Sequence, residues 1–253
     1  MLNKNDFTKK IEKYKRKVWI PKIVNEEISL TTSKFLGTPV ITDSFNWPIC
    51  PNCGKKMQFF MQLNVLELPD EFKSFLGIEE GLIQLFYCTT MESPIGFDFS
   101  KGSPNFCDID CETYFPFSKS IHARVIKDFN LTTSNNFDTQ SISQAKTIVA
   151  WEEKYDLPGI PDLESLGVEV NEEVIDLIYE SGYPLVGDKI GGWPLWFQNS
   201  DYPTCPICKK KMRYLVQLDS EGNIPYVFGE YGVGLLTQCE EHKEILTFHW
   251  NCM

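Results

Sequence analysis

Between residues 57 and 63 the side chains of Met57, Phe59, Met61 and Leu63 take alternate positions, with Gln58, Phe60 and Gln62 between them. A period of two sends successive side chains to opposite faces, so this segment predicts a β-strand. The first twenty residues follow a different rule. Phe7, Ile11, Tyr14 and Val18 recur at helical spacing among Lys9, Lys10, Glu12, Lys13, Lys15, Arg16 and Lys17. This pattern predicts an amphipathic helix over residues 5–18, docked on the surface of the body. Glu172, Glu173, Val174, Ile175, Leu177 and Ile178 predict a second helix, while the polar stretch 131–144 has little periodicity and marks a boundary between two halves.

The two halves resemble each other. Residues 34–63 overlay residues 189–218 without a gap, and twelve of the thirty positions are identical. They are Lys34/Lys189, Gly37/Gly192, Pro39/Pro194, Pro48/Pro203, Cys50/Cys205, Pro51/Pro206, Cys53/Cys208, Lys55/Lys210, Lys56/Lys211, Met57/Met212, Gln62/Gln217 and Leu63/Leu218. Average residue usage gives roughly two matches by chance in such a window, so an internal duplication is expected. The match resumes at Gly81–Cys88 and Gly232–Cys239. Each half thus reads as a Gly-x-Pro turn, a CPxC knuckle, a strand ending in Gln-Leu, an insert, and a second strand ending in cysteine. The fold class expected is α+β and mainly β: a duplicated β-rich unit with zinc-knuckle-like CPxC motifs and accessory helices. Residues 1–145, with the N-terminal helix, form the first repeat and residues 146–253 the second, packed as one pseudo-twofold unit. Gln62 and Gln217 are candidates for hydrogen bonds across that twofold.

Composition limits the function classes. The chain has 253 residues, 42% of them hydrophobic and 23% charged, enough apolar material for a core. No apolar run approaches the roughly 18–20 residues of a membrane span, and the charged opening Met1-Leu2-Asn3-Lys4 lacks a signal-peptide core, so a cytosolic protein is expected. A net charge of −11 disfavours non-specific binding to nucleic acid, although seven of the 24 basic residues lie in the first twenty positions. An acidic body suits a basic protein client.

Nine cysteines in a chain without an export signal point to metal rather than disulfides. Cys205 and Cys208 form one pair and Cys239 and His242 another after 30 intervening residues, a set able to hold structural zinc through three thiolates and an imidazole. In the first half Cys50 and Cys53 form the knuckle. The repeat alignment demands Cys88 as the third ligand, with Cys107 the better fourth and Cys111 the reserve. One or two zinc ions per chain are expected, in closed sites that leave no position for water. Lys55, Lys56 and Lys209–Lys211 offset the charge of the zinc–thiolate centres. Lys209 replaces the knuckle glycine Gly54, which makes a positive φ more costly there.

Catalytic signatures are missing. There is no GxSxG, Walker A, GxGxxG or HExxH pattern, and only His122, His242 and His249 are present, so no enzyme activity is expected. Trp193, Pro194, Trp196 and Gln198 concentrate large side chains beside Gly191 and Gly192 and are candidate partner-binding residues, with core packing as the other reading. The competing function is a nucleic-acid-binding zinc protein, which needs Lys9–Lys17 and Lys209–Lys211 on one face.

The string Gly187-Asp188-Lys189-Ile190-Gly191-Gly192-Trp193-Pro194-Leu195-Trp196-Phe197-Gln198, followed by CPxC, KKM and VQLD, resembles the YwqG-like family of bacterial proteins of unknown function. It is also similar to the programmed cell death protein 2-like family, which shares the GGxPxW opening and the CPxC knuckle-strand unit. Phe86-Tyr87-Cys88 and Phe106-Cys107-Asp108 resemble that family's FxC and MCD elements, which favours Cys88 with Cys107 over Cys111. The resemblance implies a duplicated, mainly β fold and a protein-binding role, as a chaperone-like or toxin-immunity-like protein. It supplies no catalytic residue.

Overall fold

The computed structural model describes residues 9, 11–42, 46–51, 53–89, 115–127, 143–220 and 222–252. The protein is mainly β. Its strands are β1 (Arg16–Val24), β2 (Lys34–Phe35), β3 (Gln58–Asn64), β4 (Leu82–Tyr87), β5 (Ile121–Ile126), β6 (Lys146–Asp156), β7 (Lys189–Gly191), β8 (Arg213–Asp219), β9 (Val233–Gln238) and β10 (Leu246–Asn251). Three α-helices accompany them among the described residues: α1 (Asp70–Leu76), α2 (Ile160–Ser165) and α3 (Glu172–Ser181).

The ten strands among the described residues join one antiparallel sheet in the order β10-β9-β8-β7-β1-β6-β2-β3-β4-β5. The long pair β1–β6 forms the middle, flanked on one side by the run β2–β5 and on the other by β7–β10. The sequence halves are therefore interleaved: β1 pairs with β7 of the second half, and β6 with β2 of the first. The sheet curls toward a barrel, and its edges meet where the Phe117 N–H donates to Thr247 Oγ1 at 2.6 Å and the Trp250 indole donates to the Tyr87 hydroxyl at 3.0 Å. Phe60, Tyr87, Tyr226, Phe228 and Phe248 fill the space inside with edge-on and tilted ring contacts.

The strand predicted over residues 57–63 forms as β3 and its counterpart as β8; both are buried on both faces through five consecutive residues and carry register irregularities at matching places, Phe59/Met61 and Tyr214/Val216. The second helix also forms. The Asn171 side chain caps α3 by accepting from the Val174 N–H at 3.0 Å, and Gly182 ends it at φ 72°. Val174, Leu177 and Ile178 pack beneath it on Leu163, Leu157 and Ile11.

The helix expected over residues 5–18 is corrected. Among the described residues Lys9 and Ile11 are helical and a 3-10 turn covers Glu12–Tyr14, but β1 begins at Arg16. Val18 and Trp19 are buried between β6 and β7, with the β-branched Ile20, Ile23 and Val24 following. Pairing on both sides outweighs the helical spacing of four side chains.

Candidate metal centres

The second cysteine set converges. The ligand atoms of Cys205, Cys208, Cys239 and His242 all lie within 4.8 Å of one another. Cys208 Sγ is 3.5 Å from Cys239 Sγ, and His242 Nδ1 is 3.8 Å from Cys205 Sγ and 3.6 Å from Cys239 Sγ. A tetrahedron drawn with Zn–S near 2.3 Å and Zn–N near 2.0–2.1 Å has edges of about 3.8 Å for S···S and about 3.6 Å for S···N. The spacing thus suits a four-coordinate metal ion, with the imidazole presenting Nδ1.

Backbone geometry builds the knuckle. Cys205 N donates to Lys210 O at 2.9 Å, Lys209 N to Cys205 O at 3.0 Å and Met212 N to Pro203 O at 2.7 Å. These turns aim amides at sulfur: burial acts to raise the Cys205 thiol, but N–H groups of Cys208 and Ile207 outweigh it and draw the thiol down to about 6. Cys208 receives the Lys210 N–H, yet burial and the neighbouring Cys239 and Cys205 push it up to about 11. One thiolate forms readily and its charge opposes the next, a conflict that a bound cation relieves. Lys209 takes the positive φ of 61° that glycine serves at Gly54, φ 69°. Lys210 forms an ion pair with Glu241 beside the cluster.

The first set has the same frame. Cys50 N donates to Lys55 O at 2.8 Å, Gly54 N to Cys50 O at 2.8 Å and Met57 N to Pro48 O at 2.9 Å. Cys50, Cys53 and Cys88 present their sulfurs together, with Cys53 Sγ 3.5 Å from Cys88 Sγ. Cys107 and Cys111, the candidates for the fourth ligand, lie outside the described residues. Both three- and four-member clusters could hold a metal ion. Met57 and Met212, identical in the two halves, are buried against these sulfurs.

The remaining repeated residues hold the Gly-x-Pro turns. Lys189, wholly buried at its side chain, pairs with the wholly buried Asp156 at 2.8 Å and donates to Leu185 O at 2.5 Å. Trp193 N donates to the same Asp156 oxygen, Oδ2, at 3.0 Å, and the other oxygen, Oδ1, accepts from Leu157 N at 3.0 Å and Leu185 N at 2.9 Å. In the first half Lys34 pairs with Glu27 at 2.7 Å, and Glu27 also accepts from Thr38 N at 2.9 Å. Gly192 leaves room for its carboxylate, since a Cβ there would sit 2.7 Å from Asp156 Oδ2; at Gly37 a Cβ would meet the Ala145 Cβ at 2.5 Å first, and Glu27 Oε1 at 3.2 Å. Sequence reasoning gave these lysines no role, although their identity at equivalent positions was the available signal.

Gln62 and Gln217 stay within their own halves rather than bridging them. Gln62 Oε1 accepts from Val40 N at 3.0 Å and Gln217 Oε1 from Leu195 N at 2.8 Å, each just after the turn proline. Their amide groups donate to Leu30 and Thr32 carbonyls and to the Gly187 carbonyl. The candidate partner residues are divided. Trp193 and Trp196 are buried, with their indole N–H groups donating to Tyr14 O at 2.9 Å and Asp162 Oδ2 at 3.1 Å; Pro194 is buried and Gln198 exposed.

Fold and site together define a class: a curled ten-stranded sheet carrying two sulfur-rich clusters able to hold metal. Residues 33–241 match the domain of unknown function DUF1963, and the chain belongs to that family. A stretch of 38 residues, 15% of this chain, is 47% identical to the uncharacterized protein YpfL of Salmonella typhimurium strain LT2 and covers 9% of that protein. Neither description names an activity. No helix among the described residues is long and apolar enough to cross a membrane.

Proposed function

We propose that this protein is a cytosolic protein-binding module whose duplicated β scaffold is held by structural zinc and whose client is basic. The observation that carries the reading is the closed four-ligand set Cys205, Cys208, Cys239 and His242, spaced at the edges of a zinc tetrahedron. Four protein ligands leave zinc no open position, so the ion contributes to folding rather than to bond-breaking. The first centre, with Cys50, Cys53 and Cys88, takes Cys107 as its fourth ligand in this reading. Residues 1–145 and 146–253 are then copies of one unit, zinc knuckle included, that share a sheet by exchanging β1 and β6.

Surface chemistry supports the client. The outer face of α3 exposes Glu172, Glu173, Asp176 and Glu180 around Tyr179, which is 75% exposed. An acidic face around an aromatic ring fits a cationic segment, in line with the protein-binding roles that the YwqG-like and programmed cell death protein 2-like resemblance implies. Three of the nine basic residues needed by the nucleic-acid reading are paired with carboxylates: Lys15 with Glu12, Lys17 with Glu71 and Glu153, Lys210 with Glu241.

The test compares proteins retained from a nuclease-treated cell extract by wild type and by the double variant Glu172→Lys/Asp176→Lys, at low and high salt. The reading expects basic proteins that wild type retains at low salt and loses at high salt, and that the variant loses at both. Retention of acidic proteins irrespective of salt, or of nucleic acid alone when nuclease is omitted, would overturn it.

A further inference from the structure

Strand β7 is only three residues long, and at Gly191 the chain leaves the sheet. Its neighbours do not stop there. Val18 of β1 pairs with Gly191 and Val216 of β8 pairs with Ile190, so Arg16 and Lys17 on one side and Arg213 and Tyr214 on the other run past the end of β7. The sheet has a notch between them, where Gly191 and Gly192 turn away at φ 70°. Helix α1 stands over this notch, and together they enclose a cavity of about 560 Å³.

The lining combines two chemistries. Trp19, Phe72 and Phe75 give an aromatic wall whose rings meet edge-on and tilted, at 70° and 37°; Trp19 and Phe72 are buried, and Phe75, on α1, is 42% exposed. The rim is cationic, in a chain whose net charge is −11. Lys17 is neutralised by Glu71 and Glu153. Neither guanidinium has a carboxylate at ion-pair distance among the described residues; Asp162 and Asp156 act on Arg16, and Glu240 on Arg213, only through space. Arg213 donates to Leu76 O at 2.9 Å and Gln238 Oε1 at 2.8 Å, both neutral acceptors, and lies 4.3 Å from the centre of the Phe75 ring. Arg16 rests on the Trp193 indole, 3.3 Å from the ring centroid, and makes no hydrogen bond or ion pair among the described residues. Tyr214, 4% exposed, also lines the cavity, and its buried hydroxyl has no hydrogen-bond partner among those residues.

A guanidinium held flat by an aromatic ring is pre-oriented and keeps its N–H edge for a planar anion. We infer that the notch beside β7 is a binding site for a small aromatic carboxylate, its ring against the exposed Phe75 and its anionic group on Arg16 and Arg213. This site is separate from both cysteine clusters and does not depend on the client reading above.

The probe is 2-naphthoate, titrated calorimetrically into the intact protein at low salt, with 2-naphthamide as its neutral counterpart. One saturable site per chain is expected for the carboxylate, with the amide at least tenfold weaker. Arg16→Gln, which removes the Trp193 stack and the attraction to Asp162 and Asp156, should weaken naphthoate about tenfold, the size of one charge-assisted hydrogen bond. It should leave naphthamide unchanged. Phe75→Ala should weaken both, and Lys22→Gln, at the other end of β1, neither. Thermal unfolding of each variant establishes that it is folded. Equal affinity for acid and amide, unchanged naphthoate affinity in folded Arg16→Gln, or no saturable binding would overturn the proposal.

Discussion

Single residues in this protein hold charge and polarity at depths where each needs a named partner. Lys189 and Asp156 are taken fully out of water, and their pairing is compensated by three backbone N–H groups on the carboxylate and a carbonyl on the ammonium. His249 is the contrasting case. It is 2% exposed, stacked on Trp196 with centroids 6.1 Å apart, and neither ring nitrogen has a hydrogen-bond partner among the described residues. Burial pushes it down to about 4 from the ordinary 6.5, against a weak opposing effect of Asp201. The unfolded chain therefore takes up a proton first on acidification. Stability from the neutral imidazole is complete above pH 6.5 and is lost as pH falls toward 4, by about 2 kcal/mol at pH 4.5. Asp162, held up near 6 by burial, works in the opposite sense, since its folded form binds the proton more tightly. The two partly cancel in the wild type. Replacing His249→Phe removes one of them, so urea unfolding should show the variant gaining about 2 kcal/mol relative to wild type between pH 7 and pH 4.5. A difference independent of pH would contradict the assignment.

At the level of the element, the Gly-Gly-Trp-Pro turn explains why its residues recur. Lysine, carboxylate, glycine and glutamine form one hydrogen-bonded frame that sets the chain leaving β7 or β2. Gly192→Ala would place a Cβ 2.7 Å from Asp156 Oδ2 and 2.9 Å from Val18 Cβ, at φ 70°. Gly187, φ 87°, has nothing within 4 Å of such an atom. Gly187→Ala should therefore cost about 1 kcal/mol, the conformational penalty alone, and Gly192→Ala about 3 kcal/mol or more in urea unfolding. Equal costs would show that the carboxylate frame is not what selects glycine. This frame was half legible in the sequence. Identity at Lys34/Lys189 and Gln62/Gln217 announced that the residues matter, but the lysines' partners Glu27 and Asp156 come from non-equivalent places and could not be found by alignment. The two cysteine clusters were legible because ligand-type residues at short spacings, Cys50 with Cys53, Cys205 with Cys208 and Cys239 with His242, report a shared geometry. β1 was misread because Phe7, Ile11, Tyr14 and Val18 carry a helical period, while the two strands that capture residues 16–24 lie more than a hundred residues away.

For the whole molecule the informative feature is the central pair, in which each half places a strand beside the other half's sheet. Local pattern contains no trace of that exchange, since it is decided by long-range pairing. Residues 1–145 alone would leave β1 and β2 separated by the gap that β6 fills, with their edges unpaired. The segments 1–145 and 146–253 produced separately should lack a cooperative unfolding transition, and mixing them should restore one. Two independently folded halves would show that the exchange is not needed for stability.

In the proposed reading Cys205, Cys208, Cys239 and His242 hold zinc as part of the fold. This is tested most directly by counting zinc per chain in protein purified without added metal, in the wild type, Cys239→Ser and Cys88→Ser. The account predicts zinc in the wild type, one ion fewer in Cys239→Ser, and the second-half ion retained in Cys88→Ser. Protein that is folded and free of zinc, or a zinc content that Cys239→Ser leaves unchanged, would contradict it.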